Sequence, residues 1–312
     1  MKYRKLGNTD MNVSRICLGS NNFGRQVDES ASIAIIRKAL GLGVNIIDTA
    51  DVYVQGKSEE IIGKAVAGSR KDVLIATKVG SEIVGVPGAR GLSRKHILWG
   101  VGESLKRLGT DYIDIYYLHH PDPTTPLQET LETLDGLVKD GRVRYIACSN
   151  FSRDLMSEAE RIQEQNGYAK FIAAQPRYNL LQREAESDVL PYCLEKSISV
   201  FSYSPFMGGF LTGKYEKGKP PPPGSRGAIN QRFFERIRSD SDYLAVERVV
   251  KIAKEKGVST SALALAWIMK NPAVTAPIVG ASTPRQVEEN CEALNVNIDS
   301  KTFDELDSIG HP

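Results

Sequence analysis

The sequence has almost no net charge, few cysteines and no long apolar run. Its 40 lysines and arginines nearly balance 38 aspartates and glutamates, for a net charge of +2. That is too little for the basic surface that sequence-independent nucleic-acid binding requires. No stretch approaches the roughly 20 apolar residues that cross a bilayer, and residues 1–15 lack the apolar centre of a signal peptide. We therefore expect a cytoplasmic protein that acts on a small molecule, with no nucleic-acid partner and no membrane association.

The few cysteines are too scattered to form a disulfide framework or a zinc site. None belongs to a CxxC pair, so we expect reduced thiols packed in strands and helices. His119, His120 and Asp122 raise a second possibility for a metal. Adjacent residues of a strand point to opposite faces, so the two imidazoles are not expected to share one ion. The sequence predicts no metal site. The four cysteines are Cys17, Cys148, Cys193 and Cys291.

Apolar, β-branched runs recur along the chain and alternate with helical patterns. Near-continuous apolar runs are typical of strands buried on both faces, as in a parallel sheet covered by helices. Eight such units favour a closed α/β fold, the (β/α)₈ or TIM barrel, formed by residues 1–312 as one domain. The runs lie near positions 15, 45, 73, 113, 143, 171, 199 and 276.

The predicted helices follow the runs in turn. In the third helix, Ser93 is suited to the N-cap and Gly109 to the position just after the last turn, with apolar side chains on one face between them. Two more helices, at 241–256 and 300–310, are predicted as additions to the barrel. The remaining predicted helices cover residues 28–42, 58–67, 126–139, 152–165, 185–196, 259–270 and 284–293.

Two segments do not fit the repeat. Residues 1–14 contain a Gly-Asn-Thr-Asp turn between two short strand-like pieces, which predicts a hairpin closing the bottom of the barrel. Residues 207–240 contain the run KPPPPG, which cannot be helical. A loop of this length in a compact domain is either a lid or disordered, and we favour a lid.

The predicted strands end on polar residues. In such barrels the active site lies at the C-terminal ends of the strands. Buried polar side chains must each find a partner, so six consecutive strands with polar ends would be wasteful for structure alone. Together they indicate a site. These residues are Asp48, Lys78, His119, Ser149, Asn150, Gln175 and Tyr203.

Four of these positions suggest acid–base chemistry. Tyr53 follows the second strand by a few residues, and a phenol of pKa roughly 10 needs a nearby cation to become acidic. Lys78 could be that cation, Asp48 could hold it, and His119 could orient a carbonyl oxygen or relay a proton. Taken singly, an aspartate at a strand end is often a turn former and a tyrosine at a rim often packs. Lys78 could also act as a Schiff-base nucleophile, although a lysine charged by Asp48 is a poor one.

The motifs around these residues resemble those of the aldo-keto reductase family over essentially the full chain. The matching stretches are NIIDTADVY, IATK, IYYLHHPD, IACSNF, AAQPRYN, FSYSPFMGGFLTGKY and IVGASTPRQVEEN. The resemblance implies that Asp48, Tyr53, Lys78 and His119 are the catalytic residues, with Tyr53 as the proton donor. It also implies that NADP(H) is bound without a Rossmann fold, beneath the loop 207–240, and that the substrate is a small carbonyl compound or alcohol.

The resemblance further implies a set of cofactor-binding residues. Ser149, Asn150 and Gln175 would hold the nicotinamide carboxamide, and Tyr203 would stack on the ring. Thr283 as N-cap before Pro284 would free helix N–H groups for a phosphate, although a capping box with Gln286 explains the same residues without a ligand. By the same resemblance, Lys214 would approach the pyrophosphate, Ser282 and Arg285 would lie near the adenosine 2′-phosphate, and Gln286, Glu289 and Asn290 would hold the adenine end. The remaining cofactor-binding positions implied are Ser204, Pro205, Gly208 and Gly280.

One departure affects both cofactor and function. Many reductases of the family have lysine where this chain has Gly280 and arginine where it has Gln286, which leaves the choice between NADP and NAD open. The pattern resembles the branch that includes β subunits of voltage-gated potassium channels. The alternative function is therefore a nucleotide-binding regulatory or sensor subunit. Asn21, Asn22 and Phe23 would help to select the substrate, and a homo-oligomer is left open.

Overall fold

Eight parallel strands close into a barrel in the computed structural model, which describes residues 1–230 and 239–309. Each strand pairs with the next one along the chain, and the last pairs with the first. The predicted (β/α)₈ barrel is confirmed. The strands are β1 Tyr3–Lys5 and β2 Asn12–Ser14 of a hairpin, then β3 Cys17–Gly19, β4 Ile46–Asp48, β5 Leu74–Val79, β6 Ile113–Leu118, β7 Val143–Ser149, β8 Phe171–Gln175, β9 Ser199–Ser202 and β10 Val274–Gly280 of the barrel.

The helices lie outside the barrel, and their ends follow the local sequence. Ser93 caps the third helix through its hydroxyl, and Gly109 ends it in the left-handed conformation, as predicted. The helices are α1 Glu29–Gly41, α2 Lys57–Val66, α3 Arg94–Leu108, α4 Leu127–Lys139, α5 Arg153–Asn166, α6 Val189–Glu195, α7 Arg226–Ile229, α8 Asp240–Glu255, α9 Thr260–Lys270, α10 Pro284–Glu292 and α11 Ser300–Asp307. The predicted additions to the barrel are α8 and α11.

The predicted helix over residues 185–196 is wrong at its start. The structure has a separate 3₁₀ turn at Glu184–Glu186, and α6 begins at Val189. Pro191 is the physical reason. Proline lacks the N–H that an interior helical position needs, whereas the first turn of a helix has no use for it. The helix therefore begins late enough to keep Pro191 in its first turn.

Alternate residues of each strand pack on the two sides of the barrel wall. In β6, Ile115 and Tyr117 join the interior cluster, whereas Tyr116 and Leu118 join the cluster between strands and helices. Every residue of β6 is buried, as its continuous apolar run predicted. The polar residues at the strand ends are thus carried on a rigid, fully packed wall.

The hairpin closes one end of the barrel. Leu6 and Val13 are fully buried and belong to the interior cluster. The Gly7 N–H donates to Ser199 Oγ at 2.8 Å, and the Arg4 and Arg15 guanidiniums donate to the Val274 carbonyl. Ser199 and Val274 begin their strands, so the hairpin covers the N-terminal ends.

The predicted lid is described only in part. Residues 207–230 contain a 3₁₀ turn at Phe210–Thr212 and the short helix α7, and no helix spans the proline run. Residues 231–238 of the predicted lid lie outside the described residues. Within 1–230 and 239–309, no helix combines the length and the apolar character needed to cross a membrane.

Candidate active site

The polar strand ends meet at the C-terminal end of the barrel, opposite the hairpin, which we call the mouth. Asp48 and Gln175 are the last residues of β4 and β8, Lys78 is the last but one of β5, and His119 directly follows β6. Each is held there by the ladder of its own strand. This arrangement brings together side chains that lie up to 127 positions apart in the chain, as Gln175 and Asp48 do.

Lys78 is the centre of the cluster. Its side chain is completely buried, and its ammonium donates to Asp48 Oδ1 at 2.7 Å, to the Thr49 carbonyl at 2.7 Å and to Tyr53 Oη at 3.4 Å. Burial alone would lower the pKa of Lys78, but the charge of Asp48 and the contacts with Tyr53 leave that pKa above its usual value. The lysine is therefore charged, and each of its three N–H groups donates a hydrogen bond.

Asp48 is fixed through both carboxylate oxygens. Oδ1 accepts from Lys78, and Oδ2 accepts from the Gln175 side-chain amide at 2.8 Å. The Ser149 hydroxyl donates to the Gln175 carbonyl at 2.9 Å. In this structure the side-chain amide of Gln175, a predicted cofactor contact, supports Asp48.

The phenol of Tyr53 is less acidic than the sequence suggested. Burial is the largest effect and raises the pKa of Tyr53 above its usual value. The Lys78 ammonium lowers that pKa, but not enough to offset burial and the charge of Asp48. The expectation that Lys78 makes the resting phenol acidic is wrong, because burial of the phenol disfavours its charged form. Tyr53 keeps its proton at neutral pH.

His119 is neutral and stacks on its neighbour. The rings of His119 and His120 are parallel, with centroids 4.8 Å apart. The expectation that they point to opposite faces is wrong, because β6 ends at Leu118 and strand alternation ends with it. Burial, Lys78 and His120 lower the pKa of His119 to about 2. The His119 ring lies edge-on to Tyr53, at 6.0 Å between centroids.

The loop after β7 carries Asn150 in the left-handed conformation, with φ of 60°. Its amide nitrogen donates to the His119 carbonyl at 2.9 Å and lies 3.1 Å from His120 Nδ1. Its amide oxygen accepts from the Tyr203 hydroxyl at 2.8 Å. Asn150 therefore fixes the loop after β6 and the ring of Tyr203 relative to one another.

Comparisons with known proteins identify the family of the chain. Residues 15–311 match the model of the Aldo/keto reductase family. The chain belongs to the aldo/keto reductase family. It is thereby placed among oxidoreductases of carbonyl compounds.

Several relatives of this aldo/keto reductase align along nearly their whole length. An uncharacterized oxidoreductase, YrpG, of Bacillus subtilis (strain 168) is 37% identical over 99% of this chain and 96% of its own. A probable voltage-gated potassium channel subunit beta of Oryza sativa subsp. japonica is 37% identical over 95% and 92%. A versiconal hemiacetal acetate reductase of Aspergillus parasiticus is 33% identical over 100% and 97%.

The helix α10 of this reductase begins beside the end of β10, which is Gly280. Thr283 caps it through a hydrogen bond from the Gln286 N–H, and Pro284 is its first residue, as predicted. The Gln286 side chain does not complete a capping box with Thr283, because its Oε1 accepts from the Ser282 N–H at 2.7 Å. Further along α10, Asn290 is buried, and Arg285 pairs with Glu289 at 2.9 Å.

The loop after β9 carries Lys214, a predicted cofactor contact. Ser204 has φ of 60°, and Pro205 and Gly208 follow it. Lys214 lies over the Tyr215 ring, with its nitrogen 5.4 Å from the centroid. Of the carboxylates that the structure describes, none pairs with Lys214.

Arg226 lies in the same loop and was not predicted from the sequence. Arg226 lies 3.4 Å from Asn21 Oδ1, and neither it nor Arg25 pairs with a described carboxylate. Burial and the charge of Arg25 lower the pKa of Arg226, and the phenol of Tyr53 is close enough to act on it. No motif marked this arginine, because its place at the mouth depends on the path of the loop.

The described part of the chain contains no group of three or more metal-binding side chains. Asp122, which the sequence placed beside the two histidines, instead accepts from the Leu92 N–H at 2.7 Å and from the hydroxyls of Thr124 and Thr125. Its carboxylate therefore stabilises the loop after β6. The hydrogen bonds that hold it there do not involve the two histidines.

Proposed function

We propose that the protein is an NADP(H)-dependent oxidoreductase that interconverts an aldehyde or ketone with its alcohol, with Tyr53 as the proton donor. The observation that carries this proposal is the position of the Lys78 ammonium, held by Asp48 at 2.7 Å and 3.4 Å from the Tyr53 hydroxyl. This arrangement fits a phenol that must release a proton during reaction.

A reduced nicotinamide at the barrel mouth would supply the hydride for this reaction. Tyr53 donates its proton to the carbonyl oxygen as negative charge develops there. The phenolate that remains lies against the ammonium, and at 3.4 Å the gross attraction is about 5 kcal/mol for an effective dielectric constant of about 20. Lys78 therefore acts mainly when charge develops on Tyr53, and much less on the resting phenol.

His119 orients the substrate in this proposal. With a pKa of about 2, its imidazole carries one N–H at neutral pH and is a hydrogen-bond donor rather than an acid. It can direct the carbonyl oxygen toward Tyr53. The proton-relay role that the sequence also allowed is less compatible with this pKa.

The residues around the mouth fit a dinucleotide phosphate. Lys214 and Arg226 have no described carboxylate partner, which suits them to the two negative charges of a pyrophosphate. The start of α10 offers backbone N–H groups, and Arg285 stands one residue behind Pro284. We assign Ser282 and Arg285 to the adenosine 2′-phosphate, and Gln286, Glu289 and Asn290 to the adenine. Asn150 and Tyr203 hold the nicotinamide end, beside Ser149.

Replacement of Tyr53 tests the assignment directly. The variant Tyr53→Phe should lose at least about a hundredfold in kcat for carbonyl reduction, since general acid catalysis contributes that much or more, while its affinity for NADPH stays unchanged. Turnover is followed by nicotinamide absorbance over a panel of aldehydes and ketones, and affinity by quenching of protein fluorescence.

The matched control is Tyr112→Phe. The Tyr112 hydroxyl is buried and makes no hydrogen bond to any described residue, so its removal perturbs no site. Equal turnover by Tyr53→Phe and the wild type would contradict the proton-donor role.

A second candidate function is a nucleotide-binding sensor subunit. It is favoured by the relatives named as potassium channel β subunits, which align over nearly the whole chain. Stable capture of a membrane protein, with tight NADPH binding but no turnover on the carbonyl panel, would support it. The Schiff-base alternative lacks such support, because all three protons of Lys78 are already donated.

A further inference from the structure

The turn that carries Tyr53 is strained. We call Tyr53–Gly56 the Tyr53 turn. Within it Val54 and Gln55 have φ of 51° and 54°, in the left-handed region. A β-branched residue is a rare occupant of that region, and each such residue costs of the order of 1–3 kcal/mol. A conformation of this kind persists only when the surrounding structure imposes it.

A buried ion pair holds the far end of the turn. Arg107 of α3 lies flat against Gly56, where an added Cβ would come within 2.5 Å of Arg107 Cδ. Its Nε donates to Glu59 Oε2 at 2.7 Å, and Glu59 is fully buried. The other oxygen of Glu59 accepts from Thr77 at 2.5 Å, and Thr77 precedes Lys78 in β5. The ion pair thus connects the strand of Lys78 to the turn of Tyr53.

Asp51 lies at the near end of the turn and is buried with little hydrogen bonding. The residue is 1% exposed, neither carboxylate oxygen has a well-formed hydrogen bond to a described residue, and the adjacent Val52 N–H is the backbone donor that lowers its pKa. The charged groups that act on it are Glu59 from α2, Arg107 from α3 and Lys78 from β5. From β6 it is faced by Tyr116, whose hydroxyl is also without a described partner.

A negative charge on Asp51 would disturb the ion pair. It would repel Glu59 and compete with it for Arg107, and the Val52 N–H that acts on it does not offset its burial. Burial and the charge of Glu59 accordingly raise the pKa of Asp51 to about 7. The carboxyl is therefore protonated in weak acid and ionised above neutrality.

We propose that Asp51 is a positioning residue for Tyr53. When protonated, it lets the Glu59–Arg107 ion pair press the Tyr53 turn against Lys78. When ionised, it pulls Arg107 away from Glu59, the strained turn relaxes, and the phenol withdraws from the ammonium. The effect on turnover rests on the proposed role of Tyr53, whereas the effect on the turn does not.

The pH dependence of turnover tests the proposal. In the wild type, kcat should fall about tenfold for each pH unit above about 7, since one unit beyond the pKa leaves about a tenth of the molecules protonated. The KM for NADPH should not change. Titration of Tyr53 itself would act only at a pH above its raised pKa.

The variant Asp51→Asn keeps the shape of the side chain and cannot ionise. It should abolish the decline near pH 7 and leave kcat flat to about pH 9. The matched control Asp140→Asn removes an exposed carboxylate whose one ion pair among the described residues is with Arg142, and it should keep the wild-type profile. A wild type without the decline, or an Asp51→Asn variant that retains it, would overturn the proposal.

Hydrogen exchange separates this proposal from the assignment of function. Protection of the amides of residues 52–57, corrected for the intrinsic pH effect, should fall about tenfold between pH 6 and pH 8 in the wild type and stay constant in Asp51→Asn. That result with a protein that turns over no carbonyl would refute the proposed function alone. Equal pH dependence of protection in both proteins would refute the role of Asp51 alone.

Discussion

Lys78 shows how a single residue serves both stability and chemistry. Its ammonium is fully buried beside Asp48, and an isolated charge in such a place is costly unless it is paired and hydrogen-bonded. The same contacts keep it charged next to Tyr53. Removal of the lysine therefore affects the fold as well as the proposed reaction.

The variant Lys78→Met should lower the free energy of unfolding by about 3–5 kcal/mol, because it leaves the carboxylate of Asp48 buried without its cation. Urea unfolding of the purified variant measures this change. The double variant Asp48→Asn, Lys78→Met should recover most of the loss, since no charge is left to compensate. A loss below about 1 kcal/mol in the single variant would mean that Asp48 finds another partner.

The residues of the candidate active site could be predicted from the sequence, and their protonation states could not. Motifs near strand ends indicated Asp48, Tyr53, Lys78 and His119, and the structure brings the four together. The resting acidity of Tyr53 was predicted wrongly, because burial depends on every neighbour and not on Lys78 alone. Asp51 stood in the same motif and remained unassigned for the same reason.

At the scale of elements, helix α10 supplies both N–H groups and a cation to the proposed adenosine site. The Arg285 side chain is 85% exposed and, among residues 1–230 and 239–309, forms an ion pair with Glu289 alone, on the same helix face. An ion pair so exposed contributes little to stability, so the guanidinium can turn to a phosphate at small cost.

The variant Arg285→Ala should raise the KM for NADPH about tenfold and leave the KM for NADH unchanged, because only NADPH carries the 2′-phosphate. Initial rates measured with each cofactor give the two KM values and the difference between them. Arg161→Ala, which removes an exposed helix arginine bonded to Gln165, is the matched control. An equal rise with both cofactors would place Arg285 away from the 2′-phosphate.

The elements that the sequence predicted well are those fixed by periodicity and capping. The strands, α3 with its Ser93 cap, and α10 with Thr283 and Pro284 depend on local chemistry. The Tyr53 turn depends on contacts across the fold, since valine on its own disfavours the left-handed region that Val54 adopts. Long-range packing overrides the local backbone preference of Val54. The conformation of the turn therefore cannot be predicted from the neighbouring sequence.

At the scale of the whole molecule, the barrel separates stability from chemistry. The hairpin closes the N-terminal ends of the strands with apolar side chains, and the polar cluster occupies the C-terminal ends. The residues between them form a packed interior. A substitution in the hairpin can therefore lower the stability of the barrel without touching the residues of the candidate active site.

Leu6 makes that separation measurable. It is fully buried in the interior cluster at the bottom of the barrel, so Leu6→Ala should lower the free energy of unfolding by about 2–5 kcal/mol through lost burial and a residual cavity. At a temperature where the variant remains folded, kcat and both KM values should equal those of the wild type. Urea unfolding and steady-state rates on one preparation give both quantities. A fall in kcat for the folded variant would mean that the hairpin helps to set the strand ends, because packing defects at the bottom would then reach the mouth through the barrel wall.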